Sequence, residues 1–415
     1  MNTHRIIQGD CIAGMRTLPD GCIQTCITSP PYFALRDYSG GKEEIGQEDT
    51  VEGYVQKMVE VFREVRRILR DDGTVWLNLG DSYMSAKGCS PPPQTLGKGA
   101  ADGQPKDFVP PNRKDQKGLK DKDLIGIPWR VAFALQADGW YLRQDIVWSK
   151  PNPMPESVTD RCTKSHEYIF LLSKKKHYYF DHEVIREPAA LTTYARSLRG
   201  VSDTHKNVDG APGQPPHSMS KPRKNARAFG AKVQEGTKRG DVGNTFVDTG
   251  KRNKRSVWTI TTKPFRGAHF ATYPKDLIEP CVLAGTSEHG CCSKCGAPWE
   301  RQVESTRIAR NELPPEDPRY RPNTYKGAYG EINGKGDAGY NSTKTLGWAA
   351  SCKCKDAEVV PCTVFDPFTG SGTTAVVALQ HGRNYIGTEL NPQYIKIAES
   401  RIADEVPNTL QEFIK

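Results

Sequence analysis

The sequence predicts an α/β fold, a doubly wound open sheet broken by insertions, and three observations carry that reading. The N-terminal segment up to about residue 80 alternates short β-like runs with an amphipathic helix, the grammar of a β-α-β unit. The segment from Thr363 onward repeats that alternation as a complete β-α-β-α unit. Between them lie stretches without apolar periodicity, consistent with 38 glycines, 30 prolines and only 36% hydrophobic residues among 415. A chain of this length holds two ordinary domains or one large α/β domain with insertions.

Taken in order, residues 23–28 show a buried-strand pattern, and residues 54–69 place Val55, Met58, Val59, Phe62, Val65 and Leu69 at helical spacing. A second strand is expected at 74–79. Residues 82–122 are rich in Pro, Gly, Lys and Asp and read as a mobile loop. Structure resumes with a helix at 128–137 and strands at 144–148 and 168–172. Periodicity is lost again over 184–255, then follow a short strand at 257–260 and a helix at 274–283. A cysteine-bearing insertion precedes the closing unit of strand 363–366, helix 373–380, strand 385–389 and helix 392–403.

The formal net charge of +9 is unevenly spread. Residues 181–255 carry 15 Lys and Arg against 8 Asp and Glu, ending in Lys251-Arg252-Asn253-Lys254-Arg255. A basic run of this kind is commonly a solvated tail, but one flanked by ordered α/β segments reads as a DNA-contacting insertion. No apolar run is long enough to span a bilayer and the N-terminus lacks a signal-peptide stretch, so a cytoplasmic protein without membrane contact is expected. Twelve cysteines, several single in strand-like runs, suit a reducing compartment.

Strand 363–366 ends in Asp366 and runs through Pro367-Phe368-Thr369-Gly370-Ser371-Gly372 into a helix that starts at Thr373. Glycines at such a turn let backbone approach a ligand, with helix N–H groups facing it. The next strand ends in Glu389, about 20 residues on, where a ribose diol is held in nucleotide folds. There is neither a phosphate loop nor Gly-x-Gly-x-x-Gly spacing, so an adenosine without phosphates fits best, and S-adenosylmethionine is such a molecule. In that arrangement Asp366 faces the amino-acid part, Glu389 accepts from the ribose hydroxyls and Phe368 packs near the sulfonium.

Ser29-Pro30-Pro31-Tyr32 follows the first buried strand, at the carboxyl end where open α/β sheets place ligands. An exocyclic amino group is a poor nucleophile because its lone pair is delocalised into the ring. Two acceptors that draw on its N–H bonds turn the lone pair toward an electrophile. The Ser29 hydroxyl and Pro30 carbonyl can be those acceptors, Pro30 and Pro31 fix the backbone that aims them, and Tyr32 can stack on a base flipped out of its duplex. The bland alternative is a proline turn with a packing tyrosine.

Ile27-Thr28-Ser29-Pro30-Pro31-Tyr32, followed far downstream by Phe365-Asp366-Pro367-Phe368-Thr369-Gly370-Ser371-Gly372-Thr373-Thr374, resembles the exocyclic-amino DNA methyltransferases of the permuted β class. Their order is catalytic motif, target-recognition region, cofactor motif. The resemblance implies a Rossmann-like S-adenosylmethionine-dependent methyltransferase sheet, permuted, and double-stranded DNA as partner. It further implies that Asp10, in Gly9-Asp10-Cys11, binds the cofactor's adenine, with Cys11 beside it, and that His269 and the stretch to Pro274 pack against the methionine end. Lys150 and Trp148, with Arg161 and Glu167, match positions lining the target-base cleft, although Trp148 reads more simply as core and Arg161 with Glu167 as a structural ion pair. Ser at the first tetrapeptide position is typical of the cytosine-N4 enzymes and points to that base, with adenine-N6 as the alternative. Protein glutamine methylation uses a similar tetrapeptide but places its cofactor motif first. Cytosine-C5 chemistry needs a nucleophilic cysteine; Pro280-Cys281 and Pro361-Cys362 lie outside the catalytic segment.

Cys292-Ser293-Lys294-Cys295 is a Cys-x-x-Cys knuckle, and Cys352 and Cys354 add two thiols 57 residues after Cys295. Two close pairs suit a closed, structural tetrahedral zinc, with Cys291 and His289 as possible substitutes. The expected organisation is thus residues 1–181 as the catalytic half, 182–256 as a basic target-recognition region, 257–286 with 362–415 as the cofactor half, and 287–361 as a zinc-binding insertion. Monomer and homodimer both remain open.

Overall fold

The computed structural model describes residues 3–33, 44–84, 116–188, 251–263, 272–308, 324–327, 330–333 and 340–406. Most of the loop expected at 82–122, most of the basic segment and His269 lie outside the described residues. The chain runs β1 (His4–Gln8), α1 (Cys11–Arg16), β2 (Ile23–Thr28), α2 (Val51–Ile68), β3 (Leu69–Leu79), α3 (Ile127–Ala137), β4 (Tyr141–Ser149) and β5 (His166–Ser173). It continues with β6 (Glu187–Pro188), β7 (Lys251–Arg252), β8 (Val257–Thr259), α4 (Lys275–Gly285), β9 (Cys291–Cys292), β10 (Trp299–Ile308), β11 (Thr324–Gly327), β12 (Gly330–Asn333) and β13 (Tyr340–Ala350). It ends with β14 (Val359–Val360), β15 (Thr363–Asp366), α5 (Thr373–Gln380), β16 (Asn384–Glu389) and α6 (Pro392–Glu405).

Eight strands form one sheet in the order β1-β16-β15-β2-β3-β5-β4-β8. Pairing is parallel from β1 through β3, while β5 runs antiparallel to both β3 and β4. Period-two alternation sends Val75, Leu77, Phe170, Leu172 and Phe365 to one face and Trp76, Ile169, Leu171 and Val364 to the other. The first face is covered by α1, α2 and α3, whose Met15, Phe62 and Val131 are fully buried; the second by α4 and α5, through Leu277, Val282 and Val376. β2 is buried along its whole length, its polar Gln24, Thr25 and Thr28 included. The Thr50 hydroxyl accepts from Gly53 N and starts α2, which buries Tyr54, Met58, Val61, Phe62, Val65 and Ile68 along one stripe.

From β15 the chain winds outward to β16, whereas from β2 it winds the other way to β3. The two central neighbours β15 and β2 therefore form a topological switch point, whose carboxyl ends open a ligand crevice in α/β sheets.

The expected strand at 74–79 begins earlier, at Leu69, where β3 pairs with Ile23 before a register shift, and Arg70 pairs with Asp72 within that shift. β1 and α1 were not anticipated. The described ends of the 82–122 stretch are zipped together, Met84 N to Asp123 O at 2.9 Å and Ile125 N to Ser82 O at 2.9 Å.

The chain divides into two compact units. One comprises residues 1–185, 254–301 and 348–415 and contains the whole sheet; the other comprises 186–253 and 302–347. The insertion expected at 287–361 is thus divided, its four candidate metal cysteines belonging to the unit of the sheet. In the second unit β6 pairs with β7 and β11 with β12, both antiparallel.

Candidate active site

The carboxyl ends of adjacent strands bring the predicted residues into one row. Following the sheet, Asp10 stands just past β1, Glu389 ends β16, Asp366 ends β15, and Ser29 follows β2. Gly9 N donates to Glu389 O at 2.9 Å, tying the β1 turn to β16. Asp10 caps α1, accepting from Ala13 N at 2.9 Å. Cys11 is buried among core residues and burial pushes its thiol up to about 12, so it is a packing residue of this turn.

Gly370 N donates to Glu389 Oε2 at 2.8 Å and Asn391 N to Glu389 Oε1 at 2.9 Å. The carboxylate is thereby oriented by main chain at the crevice, with acceptor capacity left for a diol. Burial raises its pKa against those bonds. Gly372 sits at φ 76° before α5, and a Cβ there would stand 2.9 Å from Ala398 Cβ. Only glycine lets α6 close on this turn. Arg401 buttresses it from α6, donating to Thr373 Oγ1 at 2.8 Å and Ser371 O at 3.3 Å, so the Thr373 hydroxyl is engaged inside the protein. Phe368 is half-buried and its N–H donates to Asp366 Oδ1 at 3.0 Å.

Asp366 differs from expectation. It is fully buried, and both carboxylate oxygens are taken: Oδ1 by Thr28 Oγ1 at 2.6 Å and Phe368 N, Oδ2 by Thr374 Oγ1 at 2.8 Å and Tyr273 Oη at 3.2 Å. Burial pushes its carboxyl up to about 7, opposed by these bonds. In this arrangement it fastens the turn to β2 and to the chain ahead of α4. Thr28 and Tyr273 are the partners the sequence reading missed, although both lie inside the quoted motifs.

Ser29 is half-buried, Pro30 buried, and Pro31 and Tyr32 half-buried. The Tyr54 hydroxyl donates to the Pro31 carbonyl at 2.9 Å, so α2 holds the tetrapeptide from behind and that second carbonyl is occupied. Tyr32 Oη donates to Glu167 Oε2 at 2.8 Å. Trp148 is core, its indole N–H on Ile260 O at 2.8 Å. The expected pairing of Arg161 with Glu167 is corrected: Arg161 pairs with Glu156 at 2.7 Å and lies over the Tyr83 ring, while Glu167 pairs with Lys150. β5 runs antiparallel, which puts Glu167 at the carboxyl edge beside Trp148, within reach of Lys150 just past β4.

At the opposite, amino-terminal edge, the Sγ atoms of Cys292, Cys295, Cys352 and Cys354 all lie within 4.8 Å of one another. A tetrahedral zinc with ~2.3 Å bonds spaces sulfurs about 3.8 Å apart, so this donor set fits the ion with slight contraction. Cys291 bonds instead toward Pro361 O, and His289 packs against Trp299 and Trp348; neither joins the cluster. Arg70 donates to Cys295 O, and Gln24 bridges Gly296 O at 3.2 Å to Thr363 N at 2.6 Å.

The family described as DNA methylase, the N6/N4 methylases, matches residues 23–292 and 362–400, both motifs included. The chain belongs to this family. As a DNA methylase it is 34% identical over 412 residues to Type II methyltransferase M.Cfr9I of Citrobacter freundii, covering 99% of this chain and 91% of that one. It is 36% identical over 398 residues to Type II methyltransferase M.SmaI of Serratia marcescens, with 96% and 90% covered. Among solved structures it is similar to PvuII DNA methyltransferase (cytosine-N4-specific), with a TM-score of 0.48 and 14% identity over 99% of this chain and 94% of that chain. No described helix of this DNA methylase is long and apolar enough to cross a membrane.

Proposed function

We propose that this DNA methylase transfers a methyl group from S-adenosylmethionine to the N4 amino group of cytosine in double-stranded DNA. The observation that carries the reading is the juxtaposition of the Ser29 tetrapeptide with the glycine turn, fastened by the Thr28 to Asp366 bond at the switch point. S-adenosylmethionine, when bound, supplies an electrophilic methyl group. The chain orients it through the Glu389 carboxylate and the Gly370–Gly372 turn, with Asp10 beside them, and Ser29 Oγ with Pro30 O aims the amino lone pair of the flipped base. Transfer would exchange the donor's methyl–sulfur bond for a methyl–nitrogen bond on the base, the released amino proton passing to water. Ser29 at the first tetrapeptide position favours cytosine over adenine. The basic segment at 182–256 supplies phosphate contacts.

Purified protein should move tritiated methyl groups from S-adenosylmethionine onto unmethylated plasmid DNA, and Ser29→Ala should lose at least about tenfold in kcat. Nucleoside digestion should give N4-methylcytosine; N6-methyladenine would replace the base assignment while leaving the enzyme reading intact.

The four cysteines hold a structural zinc in this reading. Its place at the amino-terminal edge, away from Ser29, and its links through Arg70 and Gln24 to the starts of β3, β2 and β15 make it a clasp for the strands that carry both motifs.

A further inference from the structure

A polar row crosses the carboxyl edge over four neighbouring strands, β2, β3, β5 and β4, and links Tyr32 to Glu167 and Lys150, whose part in the transfer has no stated chemistry. Tyr32 Oη donates to Glu167 Oε2 at 2.8 Å; Asn78 Nδ2 reaches the same oxygen at 3.4 Å and donates to Tyr168 O at 3.1 Å. Lys150 Nζ donates to the other oxygen, Glu167 Oε1, and lies 4.2 Å above the Trp148 ring. The Lys150 and Glu167 side chains are only 18% and 15% exposed. A half-buried tyrosine therefore meets, at its hydroxyl, a carboxylate largely removed from water and held by its own cation.

The Tyr32 hydroxyl also reaches Asn78 Oδ1 at 3.4 Å, and a further constraint on the ring is steric. A Cβ added to Gly80 would come within 2.5 Å of Tyr32 Cε2, so the ring lies directly against this stretch of main chain. A tyrosine ring has two side-chain torsions. With Gly80 stopping one side and Glu167 fixing the hydroxyl, both are set before any base arrives.

We propose that Glu167, with Lys150 as its counter-ion, is a positioning residue for methyl transfer that holds the Tyr32 ring ready for the target base. The inference rests on the reading of Tyr32 as the residue that meets the flipped base. A ring already fixed spares the ordering cost on binding and keeps the amino group aligned with Ser29 and Pro30. Lys150 donates to one Glu167 oxygen and so holds the carboxylate where its other oxygen accepts from the Tyr32 hydroxyl.

The test measures methyl transfer from tritiated S-adenosylmethionine to unmethylated plasmid DNA for the full chain and for Tyr32→Phe, Glu167→Ala, Glu167→Gln, Lys150→Met and the Tyr32→Phe/Glu167→Ala double variant. Calorimetric affinity for S-adenosylmethionine and melting curves are recorded alongside. Tyr32→Phe and Glu167→Ala should each lower kcat about tenfold, with S-adenosylmethionine affinity within about twofold of wild type. The double variant should be no worse than the poorer single one, because both remove the same bond. Glu167→Gln, whose amide oxygen still accepts, should recover to within about threefold, and Lys150→Met should fall between the two. Multiplicative loss in the double variant, wild-type kcat in Tyr32→Phe, or a fall in cofactor affinity matching the fall in kcat overturns the proposal. Should Glu167→Ala not fold, Tyr32→Phe with Glu167→Gln and Lys150→Met decides the same question. Wild-type protein that labels no DNA overturns the transferase reading itself, a failure distinct from these.

Discussion

The Thr28 hydroxyl donates to Asp366 Oδ1 across 2.6 Å, joining two side chains 338 positions apart in sequence, both fully buried. One ends the strand that leads into Ser29 and the other ends the strand that leads into the glycine turn. The bond sets the spacing between the Ser29 tetrapeptide and the glycine turn, the acceptor and donor sites of the proposed transfer. Thr28→Val keeps the shape and removes the donor. It should cost about 1–3 kcal/mol in urea unfolding, since a buried carboxylate loses one of four partners. It should also weaken S-adenosylmethionine binding and lower kcat together, read by calorimetry and methyl transfer, whereas a purely local role would leave the cofactor affinity unchanged.

Burial holds the Asp366 carboxyl up to about 7, above its ordinary 3.8. Between those values the folded chain binds more protons here than the unfolded chain, so this group's contribution to stability falls as pH rises from about 4 to about 7 and levels off above. Asp366→Asn removes that component. Its amide oxygen can keep the bonds from Thr28 and Phe368 N, and its NH2 can donate to the Thr374 and Tyr273 hydroxyls, which accept as well as donate. Urea midpoints at pH 5, 6, 7 and 8 should therefore show the advantage of wild type over Asp366→Asn shrinking with rising pH. A difference independent of pH would place the titration elsewhere.

Glu389 is aimed by the main-chain N–H groups of Gly370 and Asn391. Hydrogen bonds to a charged acceptor contribute about 1.5–3 kcal/mol each, so Glu389→Ala should weaken S-adenosylmethionine binding at least tenfold. Lowering pH should weaken binding in the wild type too, because burial has raised the carboxyl pKa and protonation converts an acceptor into a donor. Calorimetry from pH 8 down to pH 5 should show this fall in wild type and a flat, weak response in Glu389→Ala.

Much of this was legible in the sequence because local chemistry dictated it. The buried strand 23–28, the amphipathic helix that ends at Ile68 and the glycine turn with Glu389 each carry their own periodicity or backbone requirement. β1 was not legible: it has five residues, with His4 and Arg5 exposed, and its register comes from β16. Nor could the sequence tell that Asp366 turns inward, since that depends on Thr28, Tyr273 and Thr374 converging on it from three parts of the chain. The exchange of partners by Arg161 and Glu167 has the same origin, because an antiparallel β5 sets Glu167 beside Lys150. Spacing along a chain reports neighbours on one element, not across a sheet.

The cysteine cluster yields the last prediction. Four Sγ atoms within 4.8 Å of one another leave no fifth position for water, so the ion they suit is structural. Metal analysis of protein purified without chelator should give one zinc per chain, and cobalt replacement should give the visible bands of a tetrahedral thiolate site. A strong chelator, or Cys352→Ser, should lower the melting temperature by about 5 °C, because loss of the ion frees the knuckle whose Cys295 and Gly296 carbonyls hold Arg70 and Gln24. Added zinc should restore the chelated protein but not Cys352→Ser. Gln24→Ala, which keeps all four thiols, should retain zinc yet still melt earlier, since Thr363 N loses its acceptor at the start of β15. Zinc-free protein that melts unchanged in chelator would remove the metal, and Gln24→Ala melting like wild type would remove the clasp.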